Sequence, residues 1–153
     1  MKAKQVAGGA TATYVAVLDE GEEAFAALSD WAARQHLSAA QVTAVGAFER
    51  ATVGWFDRAA KDYRRILVDQ QCEVLSLIGD IAIGDSRGGS GPGQPQPHLH
   101  AVLGLHDGST RGGHLLEGHV WPTLEVVVRE APAELRKTYQ SDVGLALIDL
   151  DRS

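Results

Sequence analysis

Apolar and polar positions alternate with a two-residue period along most of this chain, and one early stretch switches to a helical period. Thr11 to Leu18 is β-branched and apolar and predicts a first strand. Asp19-Glu20-Gly21-Glu22-Glu23 predicts a helix start: Asp19 can cap, Glu22 follows three residues later, and the acids suit the positive helix end. Phe25, Leu28, Trp31 and Ala32 fall at helical spacing and make an apolar face. The helix is expected to stop near Arg34-Gln35-His36, where cations suit the negative end.

Strands are expected after that. Val42 to Phe48 and Ala51 to Phe56 read as a hairpin turning at Glu49-Arg50, followed by Tyr63 to Val68 and Cys72 to Ile78. Gly79-Asp80 reads as a turn or bulge before Ile81-Ala82-Ile83 resumes a strand. Residues 85–97 are so rich in Gly and Pro that they predict a flexible surface loop, or a mobile lid over a neighbouring site. His98 to Leu105 is the next strand, Asp107-Gly108 a turn, and Gly112 to Leu116 with Gly118 to Val120 the return. Thr123 to Val128 follows as a strand, Pro132 breaks the pattern, Glu134 to Tyr139 reads as a short helical turn, and Leu145 to Leu150 as a final strand. One helix and then a run of strands predicts an α+β fold: a single compact domain over residues 1–153, core from about 12 to 150, with a largely antiparallel sheet and one main N-terminal helix.

Composition narrows the function. The 153 residues carry a formal net charge of −6 and scattered basic residues, which argues against unaided DNA binding because no stripe of Lys and Arg is available to displace counterions. No apolar stretch approaches membrane-spanning length, and the single cysteine, Cys72, forbids an intramolecular disulfide. A cytoplasmic protein is expected, with Cys72 as buried filler.

Candidate chemistry gathers at the histidines. His98 and His100 stand two apart on a predicted strand and so share a face. His114 returns after a short hairpin and can complete a facial set of three nitrogen donors for zinc or another first-row divalent metal. Gly112-Gly113 is expected to let its strand bulge and aim His114 at the pair. His106 reads as an exposed hairpin residue and His119 as a marginal fourth ligand. Glu73 and Glu117 are the acids considered for proton transfer, with hydrogen-bonded or solvated roles favoured for both. No nucleophile triad, phosphate loop or dinucleotide fingerprint occurs.

These pieces, taken in order, resemble the PPC domain, the domain shared by plants and prokaryotes. The resemblance is carried by Gly21-Glu22, Gly46-Ala47-Phe48, Glu73 to Leu77 with Gly79-Asp80-Ile81, His98-Leu99-His100, Asp107-Gly108, Gly112-Gly113-His114-Leu115, Gly118, Val120 and Glu125-Val126-Val127. It implies an α+β fold, a homotrimer, and His98, His100 and His114 as the matching family histidines. It also brings a DNA-binding association by analogy, but the chain lacks an AT-hook: Arg87-Gly88 and Arg111-Gly112 have no Arg-Gly-Arg-Pro core. Apolar strand faces such as Val126 and Val128 are expected to drive trimerisation. The expected function is a trimeric metal-binding module for regulation or interaction, with protein partners or a small ligand. The alternative is a metalloenzyme using a metal-bound water on a small substrate; the lack of an evident acid, base or nucleophile weighs against an enzyme.

Overall fold

The computed structural model describes residues 1–9, 11–85 and 93–153. Among them nine strands and one helix run in the order β1 (Lys2–Ala7), β2 (Thr13–Asp19), α1 (Ala24–Arg34), β3 (Ala39–Asp57), β4 (Asp62–Val68), β5 (Cys72–Ile83), β6 (Pro95–Gly104), β7 (Thr110–Glu130), β8 (Lys137–Gln140) and β9 (Leu145–Ile148). Seven strands form one sheet in the order β1-β2-β7-β6-β5-β3-β4, with every pairing antiparallel. A further pairing of β7 with β3 joins β3, β5, β6 and β7 into a closed cycle. The core lies inside that cycle, with Phe48, Leu77, Leu99, Leu103, Leu115 and Leu124 fully buried. Ala24, Leu28, Trp31 and Ala32 of α1 bury against it, so the expected helix face is the observed one apart from Phe25, which is only partly buried.

The helix begins later than expected. Glu23, not Asp19, is the N-cap, its carboxylate accepting from the backbone N–H of Phe25 at 3.1 Å and Ala26 at 2.7 Å. Glu22 does accept from the N–H of Asp19 at 2.8 Å, so half of the predicted capping box forms in the turn that precedes the helix. Glu23 also accepts from the N–H of Gly118 at 3.0 Å, which ties the helix start to β7.

The expected hairpin at Glu49-Arg50 is absent: β3 runs through it as one strand of 19 residues. Irregularities against β7 between Gly46 and Phe48 and between Phe48 and Arg50 shift the register there, which breaks the alternation and mimics a turn. The strands expected at 112–116, 118–120 and 123–128 are likewise one strand, β7. Gly79-Asp80 is not a turn but part of β5, paired with Leu99 and His98. Pro95 and Pro97, placed in a loop by composition, belong to β6. Their stretch pairs with β5 but lies before the pairing of β6 with β7, which starts at His100, so a missing N–H can face the unpaired side. Residues 86–92, and with them most of the expected lid, lie outside the described residues.

Two elements have no forewarning. β1 is exposed along its whole length and polar, so no apolar period marks it. The helical turn expected over Glu134 to Tyr139 is instead strand β8, paired with β9 in a separate two-stranded sheet. Val126 and Val128 are fully buried in the core and therefore cannot drive assembly. Cys72 is buried and free, as expected, and burial pushes its thiol pKa up. Among the described residues no helix is long and apolar enough to cross a membrane.

Candidate metal centre

Antiparallel register brings the three histidines together. On β6, Leu99 and Ala101 point into the core, leaving His98 and His100 on the opposite face. His100 stands directly across from His114 of β7, and His98 directly across from Asp80 of β5. One ring nitrogen from each of His98, His100 and His114 lies within 4.8 Å of the other two. The ring centroids are 5.1, 5.2 and 5.4 Å apart.

Three observations test whether a metal fits. The Nε2 atoms of His98 and His100 are 3.2 Å apart; two nitrogens bound at ~2.0–2.1 Å to one tetrahedral zinc are separated by about 3.3 Å. Nδ1 of His114 is buried with no hydrogen-bond partner, a condition that an ion or water on the ring relieves. His98 Nδ1 lies 3.3 Å from Oδ2 of Asp80. A proton on Nδ1 directed at that carboxylate leaves Nε2 as the donor toward the cluster, which is how outer carboxylates orient metal-binding imidazoles. The donor set is three imidazole nitrogens, suited to a first-row divalent ion.

Electrostatics favour the neutral form of His100 and His114. Burial, then the neighbouring His98 and His100, pull the His114 pKa down to about 4. Burial and His98 lower that of His100 as well. Asp80 is held below the usual carboxylate value: burial opposes this, but His98 and Lys137 outweigh it. Lys137 is almost wholly buried, with Nζ 3.3 Å from Oδ1 of Asp80 and donating to the Gln96 carbonyl at 3.1 Å. Burial lowers its pKa against the pull of Asp80. The ring of Tyr63 stacks on His114 at 4.7 Å and 17°.

A pH dependence follows for the metal-free protein. Between pH ~6.5 and about 4 the unfolded chain takes up a proton that folded His114 refuses. Acid therefore favours unfolding: stability is intact above the ordinary histidine pKa and is lost as pH falls toward 4. Thermal melts at pH 7 and pH 4.5 should show a lower Tm at the acid end.

The other candidates stand apart. His106 is exposed beyond the end of β6, as expected. His119 is not in the cluster; its Nε2 meets Glu117 at 2.7 Å and Arg50 at 3.1 Å. Glu117 is thus engaged with His119 and also lies 3.9 Å from Arg65, while Glu73 sits exposed on β5. The expected bulge is not at Gly112-Gly113 but at Leu116, where the pairing of β7 with β3 skips from Leu115 to Glu117. Gly113 serves close approach instead: a Cβ there would sit 2.5 Å from the carbonyl oxygen of Gly54. No motif in the sequence marks Asp80, Lys137 or Tyr63 as part of the site. Asp80 comes into view only through the β5–β6 register, which sets it opposite His98.

Residues 5–132 match the Plants and Prokaryotes Conserved (PCC) domain, and the chain belongs to that family. Solved structures agree with it over nearly their full length. A plant- and prokaryote-conserved (PPC) protein of Pyrococcus horikoshii is 28% identical, with a TM-score of 0.80 and coverage of 90% of both chains. A candidate DNA-binding protein of Bacteroides thetaiotaomicron is 25% identical, with a TM-score of 0.85, covering 98% of this chain and 99% of the other. A metal-containing protein of Archaeoglobus fulgidus is 25% identical, with a TM-score of 0.80, covering 97% and 99%. No curated protein matches the chain significantly.

Proposed function

We propose that this chain is a metal-binding regulatory or interaction module of the PPC family, in which His98, His100 and His114 hold zinc or another first-row divalent ion. The observation that carries this is the convergence of three histidine nitrogens within 4.8 Å, backed by Asp80 behind His98. The metal-containing relative from Archaeoglobus fulgidus supports it. Assembly as a homotrimer in the cytoplasm belongs to the same proposal. Ile78, across from His100, and Val102, two residues along from it, are apolar side chains left half-exposed on the histidine face, where a second subunit would cover them. The DNA association suggested by the Bacteroides thetaiotaomicron relative is weakened by the net charge of −6 and the lack of an AT-hook.

One observation favours a second reading, an enzyme acting on a small substrate: a cavity of about 300 Å³ borders His98 and His114. Against it, Asp80, the carboxylate beside the cluster, is already engaged by His98 and Lys137.

Metal analysis of protein purified without a His-tag is the direct test. About one equivalent of a first-row ion per chain is expected. Less than ~0.2 equivalents, with no zinc uptake on titration, overturns the reading. Asp80→Asn should keep the site but weaken zinc ~10–100-fold in a chelator competition, because His98 loses the carboxylate that orients it.

A further inference from the structure

The cavity beside the histidines has its own chemistry. Its volume of about 300 Å³ suits a small organic molecule. His98, His114 and Lys137 line it together with the apolar side chains of Phe25, Leu145 and Leu147. Three neutral imidazoles leave the charge of a divalent ion uncompensated. Asp80 does not supply the missing anion, since His98 and Lys137 each lie 3.3 Å from one of its oxygens.

Lys137 points the same way. An ammonium has three protons to donate. The Gln96 carbonyl takes one and Asp80 faces a second, which leaves the third for an occupant of the cavity that Lys137 lines. Among the described residues no arginine lines the cavity, so the planar fork that grips phosphate is missing. A single ammonium beside a metal suits a carboxylate, and the apolar surface suits a short hydrocarbon body.

The geometry points to this cavity as the binding site of a small organic carboxylate, its charge held by Lys137 and the metal-bearing histidines, its body against Phe25, Leu145 and Leu147. The inference rests on the metal reading above and adds the ligand class to it.

Isothermal titration calorimetry of the zinc-loaded full chain, with butyrate and neutral butyramide as probes, tests it. Butyrate should bind about tenfold or more tightly than butyramide, and removing zinc should erase most of that preference. Lys137→Met should weaken butyrate about tenfold and leave butyramide unchanged. Loss of Lys137 also leaves Asp80 without its buried partner, so Ala146→Phe provides a second variant. Ala146 lines the cavity and is not one of the three histidines, and the larger ring should abolish butyrate binding while zinc content stays at the wild-type level. Equal affinity for the two probes, or unchanged butyrate binding in Ala146→Phe, on protein that carries its zinc overturns this inference alone. A chain that takes up no zinc overturns the metal reading and this inference with it.

Discussion

Replacing His98 and His114 together with alanine yields a folded chain that no longer takes up metal. The variant keeps one of three donors, His100, and a single imidazole on a sheet face cannot hold a divalent ion against buffer. Metal content should fall from about one equivalent to below ~0.1. The fold should survive because neither residue belongs to the core: both lie on the face opposite Leu99 and Ala101. The loss of His114 even removes a buried ring nitrogen without a partner, so the Tm of the metal-free protein should shift by no more than a few degrees. Circular dichroism and metal analysis on the same sample check both halves. Normal metal loading in the double variant would mean that the ligand set is wrong.

A different outcome is expected from Gly79→Ala, which replaces no ligand side chain and should cost both fold and site. A Cβ at Gly79 would lie 1.9 Å from the carbonyl oxygen of His98 and 3.0 Å from Cα of Leu99. Those neighbours are backbone, so no side chain can swing away, and β5 and β6 must part where Asp80 meets His98. Overpacking of this kind costs ~3 kcal/mol or more. Denaturant unfolding should show that loss, and zinc affinity should fall as well, because the strand carrying two of the three ligands is displaced. Wild-type stability and zinc affinity together in Gly79→Ala would contradict this packing.

The histidine cluster was legible because it follows from parity and one hairpin. His98 and His100 share a face on any strand, and the turn at Asp107-Gly108 brings His114 opposite His100. Asp80 was hidden by its neighbour. Gly79 signals a turn locally, and only the close approach of β6 shows that the glycine is there to let two backbones meet. The long strands β3 and β7 were read in pieces for a related reason. Glu49 and Arg50 are consecutive exposed residues, and such a lapse in alternation looks like a turn, although here it marks a register shift within a continuous strand. Lys137 was beyond reach. Its meaning depends on Asp80, 57 positions earlier, and a lysine in a short polar segment predicts solvent exposure.

The hairpin of β8 and β9 has one more consequence. The stretch that matches the family ends at residue 132, so all three histidines and Asp80 fall within it, whereas Lys137, Leu145, Ala146 and Leu147 fall after it. Half of the residues around the cavity are thus contributed by the segment after the matched stretch, and the other half, His98 and His114 among them, by residues within it. A substitution in β9 can therefore reshape one wall of the cavity without touching a histidine, whereas one at Lys137 reaches the cluster through Asp80 and His98.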